Sequence, residues 1–347
     1  MSTLVIIILT IIILLALFLP FMVHTVEQQL EAFLFILGLI AVTSIGAWNW
    51  HLVKDAITEP IKISLAVLIV GLLFKHFRLN ITHFIEHIEQ KIGLQKTIIL
   101  LVAVLGFLSS IITAIVAALV LCEIAATLRL TRRDTIHVIV MGCFAIGFGA
   151  ILTPIGEPLS TIVISKLSGE PHHAGFFYLF HLLWYLIIPG VIFFAYMAGR
   201  TKDEQIKNQQ HVDMDSSKDI LVRAAKVYLF IMALVFFGHG LTPLAEISIM
   251  KLPLAALYWA NSISAILDNA TLAAAEIVPT MTNVQIEFLL MGLVISGGFL
   301  IPGNIPNIIC ASKFKIKSKE WAKQALPIGV ACMLVYFILL ELLPKVK

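Results

Sequence analysis

The chain has 347 residues, of which 60% are hydrophobic and 13% charged, and its mean hydropathy is +1.00. A water-soluble domain of this length would not be so apolar, so the composition predicts an all-α polytopic membrane protein. The net charge of +3 identifies no partner, because in membrane proteins the location of Lys and Arg matters more than their sum. We expect the lipid bilayer and small inorganic ions as partners, and no nucleic acid.

Ten apolar segments are long enough to span or enter a bilayer. The first lacks a basic start and a small-residue cleavage site, so we expect a retained membrane helix. Between the segments, the mixed-charge stretch 76–96 is predicted to lie along the membrane surface, and the polar stretch 199–225 to link two halves. The apolar segments lie near residues 4–23, 30–48, 61–77, 97–128, 135–167, 175–198, 226–247, 252–278, 284–312 and 325–343.

The loops richest in Lys and Arg conflict with a simple count of membrane crossings. By the positive-inside rule these loops should all be cytoplasmic in a multi-pass protein of the cell (plasma) membrane. If every segment crossed once, the last of them would lie outside. The conflict disappears if 97–128 and 252–278 are re-entrant hairpins, the first open to the cytoplasm and the second to the outside. The basic loops are 129–134, 199–225 and 313–323.

The two hairpins belong to similar halves of the sequence. SIITAI at 110–115 aligns with NSISAI at 261–266, and CEIA at 122–125 aligns with AEIV at 275–278 if Asp268 and Asn269 are a two-residue insertion. The segment after each hairpin contains helix breakers, which unwind a membrane helix locally. These are Pro154, Gly156 and Pro158 in the first half, and Pro302, Gly303 and Pro306 in the second.

This pattern predicts an inverted-repeat secondary transporter with two re-entrant hairpins and two discontinuous helices. The N-terminal helices would form a scaffold, each repeat would hold a hairpin and a broken helix, and a cytoplasmic linker would join the repeats. The predicted bounds are 1–96 for the scaffold, 97–198 for repeat 1, 199–225 for the linker and 226–347 for repeat 2.

The acids near the breaks are the leading candidates for an ion site. A carboxylate inside a membrane costs roughly 2.5–3.5 kcal/mol on insertion scales and is usually functional, which selects Glu157. The second break has no acid, so Asp268 in the second hairpin is expected to supply the other carboxylate. His239 is a candidate proton relay. The predicted cation- and proton-binding residues are Glu157, Asp268, Asn269, Asn304, Asn307, Thr153, Ser264, Asn261, Ser110 and Thr113.

Structural alternatives stay open for several of these residues. Asp268 and Asn269 could cap the helix that follows them. The small polar residues of the hairpins could serve only for close helix packing. His239 could be hydrogen-bonded to a neighbouring helix. Glu123 and Glu276, near the ends of the hairpins, are expected to have interface or structural roles.

The stretch TPIGEPLSTI at 153–162 resembles the TPIGD-type stretch of NhaD-type sodium/proton antiporters. Polar hairpin tips followed by broken helices are similar to the wider ion transporter superfamily, which includes arsenite and dicarboxylate carriers. The resemblance covers roughly 90–320 and is greatest to a compact group of cation transporters. It implies a homodimer with a scaffold region and an ion-carrying region. The chain departs from the antiporters in having Glu157 where they carry Asp, and in its GNIPN stretch.

The sequence therefore predicts exchange of a monovalent cation, Na⁺ or Li⁺, for protons, with no cofactor. An anion or metalloid carrier is the alternative, since serine-rich tips and helix N-termini suit anions. However, the hairpin tips and breaks contain two acids, Glu157 and Asp268, and no Lys or Arg. A passive channel also stays open. No HExxH pair, catalytic dyad or nucleotide loop is visible, so we do not expect an enzyme.

Overall fold

The computed structural model describes residues 3–23, 25–26, 29–128, 130–201, 217–249, 253–267 and 269–342. All regular secondary structure within these ranges is helical. Two short 3₁₀ turns, Asn261–Ala265 and Ile301–Gly303, accompany the α-helices. The α-helices are α1 (Thr3–Met22), α2 (Leu30–Ile45), α3 (Trp50–Ile92), α4 (Leu94–Ile112), α5 (Ala114–Ala125), α6 (Arg132–Ala150), α7 (Pro158–Lys166), α8 (Tyr178–Ala198), α9 (Ser217–Ile249), α10 (Leu254–Ala260), α11 (Asn269–Glu276), α12 (Asn283–Ser296), α13 (Ile305–Phe314) and α14 (Ser318–Leu342).

Seven helices in the described ranges are long and apolar enough to cross a membrane, namely α1, α3, α4, α6, α8, α9 and α14. The peripheral helices expose large apolar side chains, such as Ile7, Ile11 and Phe18 along one face of α1. Side chains of this kind are stable against lipid tails but not against water. The part of the chain that the structure describes is thus all-helical, and its membrane-length helices make the chain a multi-pass membrane protein, as its composition predicts.

Two connections differ from the sequence prediction. The predicted surface segment 76–96 is not separate, because α3 continues without a break to Ile92 and the chain turns only at Gly93, where φ is 84°. The predicted linker is also shorter than expected, since α9 begins at Ser217. Ile220, Ala224 and Val227 recur at helical spacing and are all buried, so this part of α9 has a face that packs.

The basic loops meet at one end of the helix bundle, which we call the basic end. Arg132, at the start of α6, forms an ion pair with Glu320 in the first turn of α14, at 2.8 Å. His137 contacts a backbone carbonyl in the last turn of α8 at 2.7 Å. Gln95, at the start of α4, donates to the carbonyl of Thr201, which follows α8, at 3.0 Å. The starts of α4, α6 and α14 therefore lie together with the end of α8.

A second group of contacts defines the opposite end of the bundle. Tyr178, at the start of α8, donates to Asn283 at the start of α12, at 3.0 Å. The ammonium group of Lys166, at the end of α7, donates to the carbonyl of Ile277, just after α11, at 3.3 Å. The ends of α7 and α11 and the starts of α8 and α12 are thus neighbours at this end.

The short helices pack in a reciprocal arrangement. Helix α5 packs against α13, and α11 packs against α7. Likewise α4 packs against α6, and α10 against α12, while the long helices α3 and α9 contact α5 and α11, respectively. Each of these contacts thus has a counterpart in the other half of the chain.

Candidate functional site

The first helix interruption meets the tip of the pair α4 and α5, which we call the first hairpin. Helix α6 ends at Ala150, and α7 begins at Pro158, the first helical position, which a proline tolerates. The backbone N–H of Ala114 at the tip donates to the carbonyl of Gly156 in the break, at 2.8 Å. The Thr153 hydroxyl donates to the carbonyl of Ser110. The hairpin therefore satisfies part of the backbone that the break leaves unpaired.

Gly156 is required by the tight path of this break. A Cβ atom on Gly156 would lie 1.9 Å from the carbonyl oxygen of Ala150, a distance at which no side chain fits. The chain thus folds back onto the end of α6 before α7 begins. This path places the residues of the break beside the hairpin tip instead of continuing the helix.

Glu157 lies at the end of this break, immediately before α7. Its side chain is 8% exposed, and its backbone is extended, with φ −155° and ψ 162°. Among the described residues it does not cap the helix that it precedes. The N-terminus of a helix carries partial positive charge, which favours a carboxylate at this place. The structure thus places the predicted acid in the buried junction between break and hairpin tip.

The hydroxyl groups of the first hairpin are used to hold its tip. Thr113 separates α4 from α5 with a φ of 77°, and its hydroxyl accepts the N–H of Val116 at 3.3 Å, capping α5. The Ser110 hydroxyl donates to the carbonyl of Phe107 at 2.8 Å. These bonds support a structural role for both side chains, which the sequence left as an alternative to ion binding.

The second interruption meets α10, the 3₁₀ turn and α11, which together form the second hairpin. The Ser264 hydroxyl donates to the Asn269 side-chain carbonyl. Ser296, at the end of α12, donates to the carbonyl of Asn261 at 2.7 Å. A Cβ atom on Gly303 in the break would lie 2.8 Å from the carbonyl oxygen of Ser264. The two halves thus share one design, a break whose backbone is held against a hairpin tip.

Three further predicted residues have distinct places. Asn307 donates from its amide to the carbonyls of Gly297 and Leu300, at 2.9 and 3.0 Å, so it fixes the second break. Asn304 reaches the first broken helix, since a Cβ on Gly147 of α6 would lie 3.3 Å from its amide nitrogen. Asp268 lies outside the described residues, so its role remains a prediction.

His239 is not buried in the junctions between the breaks and the hairpin tips. Its side chain is exposed on the surface of α9. The described structure therefore does not bring it together with the breaks.

The glutamates near the ends of the two hairpins have different surroundings. Glu123 on α5 forms an ion pair with Lys313 of α13 at 2.7 Å, and Arg223 of α9 lies 3.8 Å away. This agrees with the interface role expected for Glu123. Glu276 on α11 is only 3% exposed, and within the described residues neither of its carboxyl oxygens has a hydrogen-bond partner.

The sequence did not indicate that Glu276 would be buried without a hydrogen-bond partner among the described residues. The alignment of CEIA with AEIV places an acid at the same point of both hairpins. What distinguishes the two acids is the set of cations contributed by distant helices, and no local pattern around Glu276 reveals it.

Comparison with known proteins gives one family. Residues 6–343 match a family model described as "Protein of unknown function (DUF1646)". The curated proteins contain no match to the chain. The family match covers both hairpins and both interruptions.

Proposed function

We propose that the chain, which belongs to the DUF1646 family, is a secondary active transporter that exchanges a monovalent cation, Na⁺ or Li⁺, for protons. The observation that carries this proposal is the buried carboxyl group of Glu157 in a helix break that is held against a hairpin tip. Broken helices of this kind line the ion sites of secondary transporters, because unpaired backbone is tolerated only where protein, water or an ion satisfies it.

We further propose that the halves form an inverted repeat with two re-entrant hairpins. The support comes from the two ends of the bundle. The start of α4 and the start of α6 both lie at the basic end, so the first hairpin, which connects them, enters and leaves there. The end of α11 and the start of α12 both lie at the opposite end, where the second hairpin returns. The hairpins would then open to opposite sides of the membrane.

The orientation in the membrane follows from the charges. The basic end carries the Lys- and Arg-rich loops, which the positive-inside rule assigns to the cytoplasm. In this orientation α6 rises from the cytoplasmic side to the first break, and α12 descends from the outer side to the second. We propose that both breaks lie inside the membrane, as the broken helices of secondary transporters do.

Competition at shared carboxylates provides the coupling. A carboxyl group removed from water favours its neutral, protonated form, whereas a bound cation favours the charged form. Ion binding thus releases a proton, and proton binding releases the ion. In this mechanism Glu157 alternates between the two states, with carbonyl oxygens of the break and the side chains of Asn304 and Asn269 as neutral ligands. Asp268 would be the second acid of the same pocket.

An anion or metalloid carrier is the competing function within the same architecture. The N-terminus of α7 could hold an anion by its backbone N–H groups. The carboxylate of Glu157, which directly precedes the helix, would lie close to such an anion, however. Like charges so close together repel, so the site favours a cation.

The test is exchange by the purified chain in proteoliposomes with an imposed pH gradient. Na⁺, Li⁺ and K⁺ are added in turn, and proton flux is read with an internal pH dye. We expect Glu157→Gln to abolish exchange, and Glu157→Asp to retain part of it. Glu170→Gln is the matched control, because Glu170 is an exposed acid in the loop after α7. Full exchange by Glu157→Gln would exclude the proposed mechanism, and uptake driven only by an anion would favour the competing function.

A further inference from the structure

Glu276 is the described carboxyl group whose burial is hardest to explain by protein contacts alone. It ends α11, at the opposite end of the bundle, with 3% of its surface exposed. Both of its oxygens are buried without a hydrogen-bond partner in the described part of the chain. An ionised carboxylate in such a place is costly unless a positive group compensates its charge.

The neighbouring side chain adds a further unpaired acceptor. Asn261 is fully buried and adjoins Glu276, but the contact gives neither carboxyl oxygen a well-formed hydrogen bond. Its amide nitrogen donates to the carbonyl of Leu289 on α12 at 3.3 Å, and its amide oxygen has no partner among the described residues. Three acceptor oxygens are therefore buried in this region without a donor.

Among the described residues, no cation of the protein is paired with Glu276. Lys166, on the packed helix α7, is a described cation at this end, but its ammonium group is bound to the backbone carbonyls of Ala274 and Ile277. On α12, Glu287 is directed to Tyr185 of α8. The 3₁₀ turn carries no charged residue, and the charged side chain that α9 carries in its last turns lies outside the described residues. The first hairpin differs, because Glu123 is paired with Lys313 there.

We infer that Glu276 and Asn261 form a binding site for an alkali cation between α11 and α12. With a rise of 1.5 Å per residue, the site lies about 10 Å from the tip of the second hairpin, toward the loop 277–282. Carboxylate and amide oxygens are suitable ligands for a hard cation. A single proton would leave one of the three oxygens unpaired, whereas a cation can contact all of them.

The role of this cation as a transported ion depends on the proposed function, but its binding can be measured separately. The purified full-length chain in detergent is heated in NaCl, LiCl or KCl, and in choline chloride at equal ionic strength and pH. A ligand that binds only the folded state raises the melting temperature. We expect at least one of the three alkali cations to raise the melting temperature of the wild-type chain, and choline not to.

Two matched variants should then separate binding from structure. Glu276→Gln should keep the melting temperature in choline but need at least a tenfold higher alkali-cation concentration for the same shift. Glu123→Gln should behave in the opposite way. It removes the carboxylate that pairs with Lys313, so the melting temperature in choline falls while the response to the cation is retained. Asn261→Ala should weaken the response, because it removes one ligand.

The inference is wrong if Glu276→Gln responds to the cation as the wild type does, or if the wild type responds to none of the three. Should Glu276→Gln not fold, Glu276→Asp decides, since withdrawing the carboxylate by one methylene must weaken the response. Transport is scored independently. If the wild type exchanges ions but Glu276→Gln keeps the full melting-temperature response to the cation, this site is excluded and the proposed function stands. If Glu276→Gln loses the melting-temperature response to the cation but the wild type shows no exchange, the cation site stands and the proposed transport function is wrong.

Discussion

Replacing Gly149 with alanine tests the contact that holds the first hairpin against the first broken helix. A Cβ atom on Gly149 would lie 1.7 Å from the carbonyl oxygen of Gly106 on α4, and 2.8 Å from the Ser109 hydroxyl oxygen. Because Cβ atoms essentially never lie within 3.0 Å of such an atom, helices α4 and α6 would have to separate by more than 1 Å to accept the methyl group. The Ser109 hydroxyl would then lose its bond to the carbonyl of Ile146, which is 3.0 Å long.

The expected loss follows from these two effects. Overpacking costs about 1–3 kcal/mol, and a lost buried hydrogen bond adds about 1 kcal/mol. The better helix propensity of alanine returns roughly 0.5–1 kcal/mol. The free energy of unfolding should therefore fall by about 1–3 kcal/mol, measured by denaturant titration in detergent micelles.

Gly142→Ala on the same helix is the matched control. Its Cβ would lie 2.5 Å from Cδ2 of Leu121, which is the end of a side chain that can rotate away. We expect a change within about 1 kcal/mol, because a rotamer shift is cheaper than separating two backbones. If Gly149→Ala were as stable as Gly142→Ala, the close approach of α4 and α6 would not be the constraint that we infer.

Two further variants test how the breaks are held. Thr153→Val keeps the shape of the side chain but leaves the Ser110 carbonyl without its donor, so the free energy of unfolding should fall by about 1–3 kcal/mol, whereas Thr153→Ser should stay close to the wild type. Asn307→Asp places a carboxylate against the carbonyls of Gly297 and Leu300, and its melting temperature should fall below that of Asn307→Ala. Because a protonated acid can donate to those carbonyls, this difference should shrink as the pH is lowered, and a difference independent of pH would contradict the reasoning.

The interruptions of the helices could be predicted from the sequence because their causes are local. Pro154, Gly156 and Pro158 act on the helix in which they stand, and the same holds for Pro302 and Pro306. The structure has both interruptions at these places, between α6 and α7 and between α12 and α13. The bounds of α3 and α9 were harder to predict, because charged residues in a helix that extends beyond the membrane look like a polar loop.

The environments of the acids could not be predicted, because they depend on contacts between distant segments. Glu123 and Glu276 stand in similar short motifs, yet one has a buried ion pair and the other has none among the described residues. The difference arises from Lys313, which lies far along the chain from Glu123, and from Lys166, which binds carbonyls instead of the acid near it. Similarly, the use of the Thr113 hydroxyl as a helix cap follows from a backbone turn that its sequence does not indicate.

The reciprocal packing of the short helices has a mechanical consequence. Helix α5 of the first hairpin rests on α13, which follows the second break, and α11 of the second hairpin rests on α7, which follows the first. Each hairpin is thus supported by a helix from the other half of the chain, and the ion pair between Lys313 and Glu123 holds one of these contacts. A displacement of either hairpin must therefore move the packed helix of the other half as well. We expect α5, α7, α11 and α13 to move together as one rigid unit.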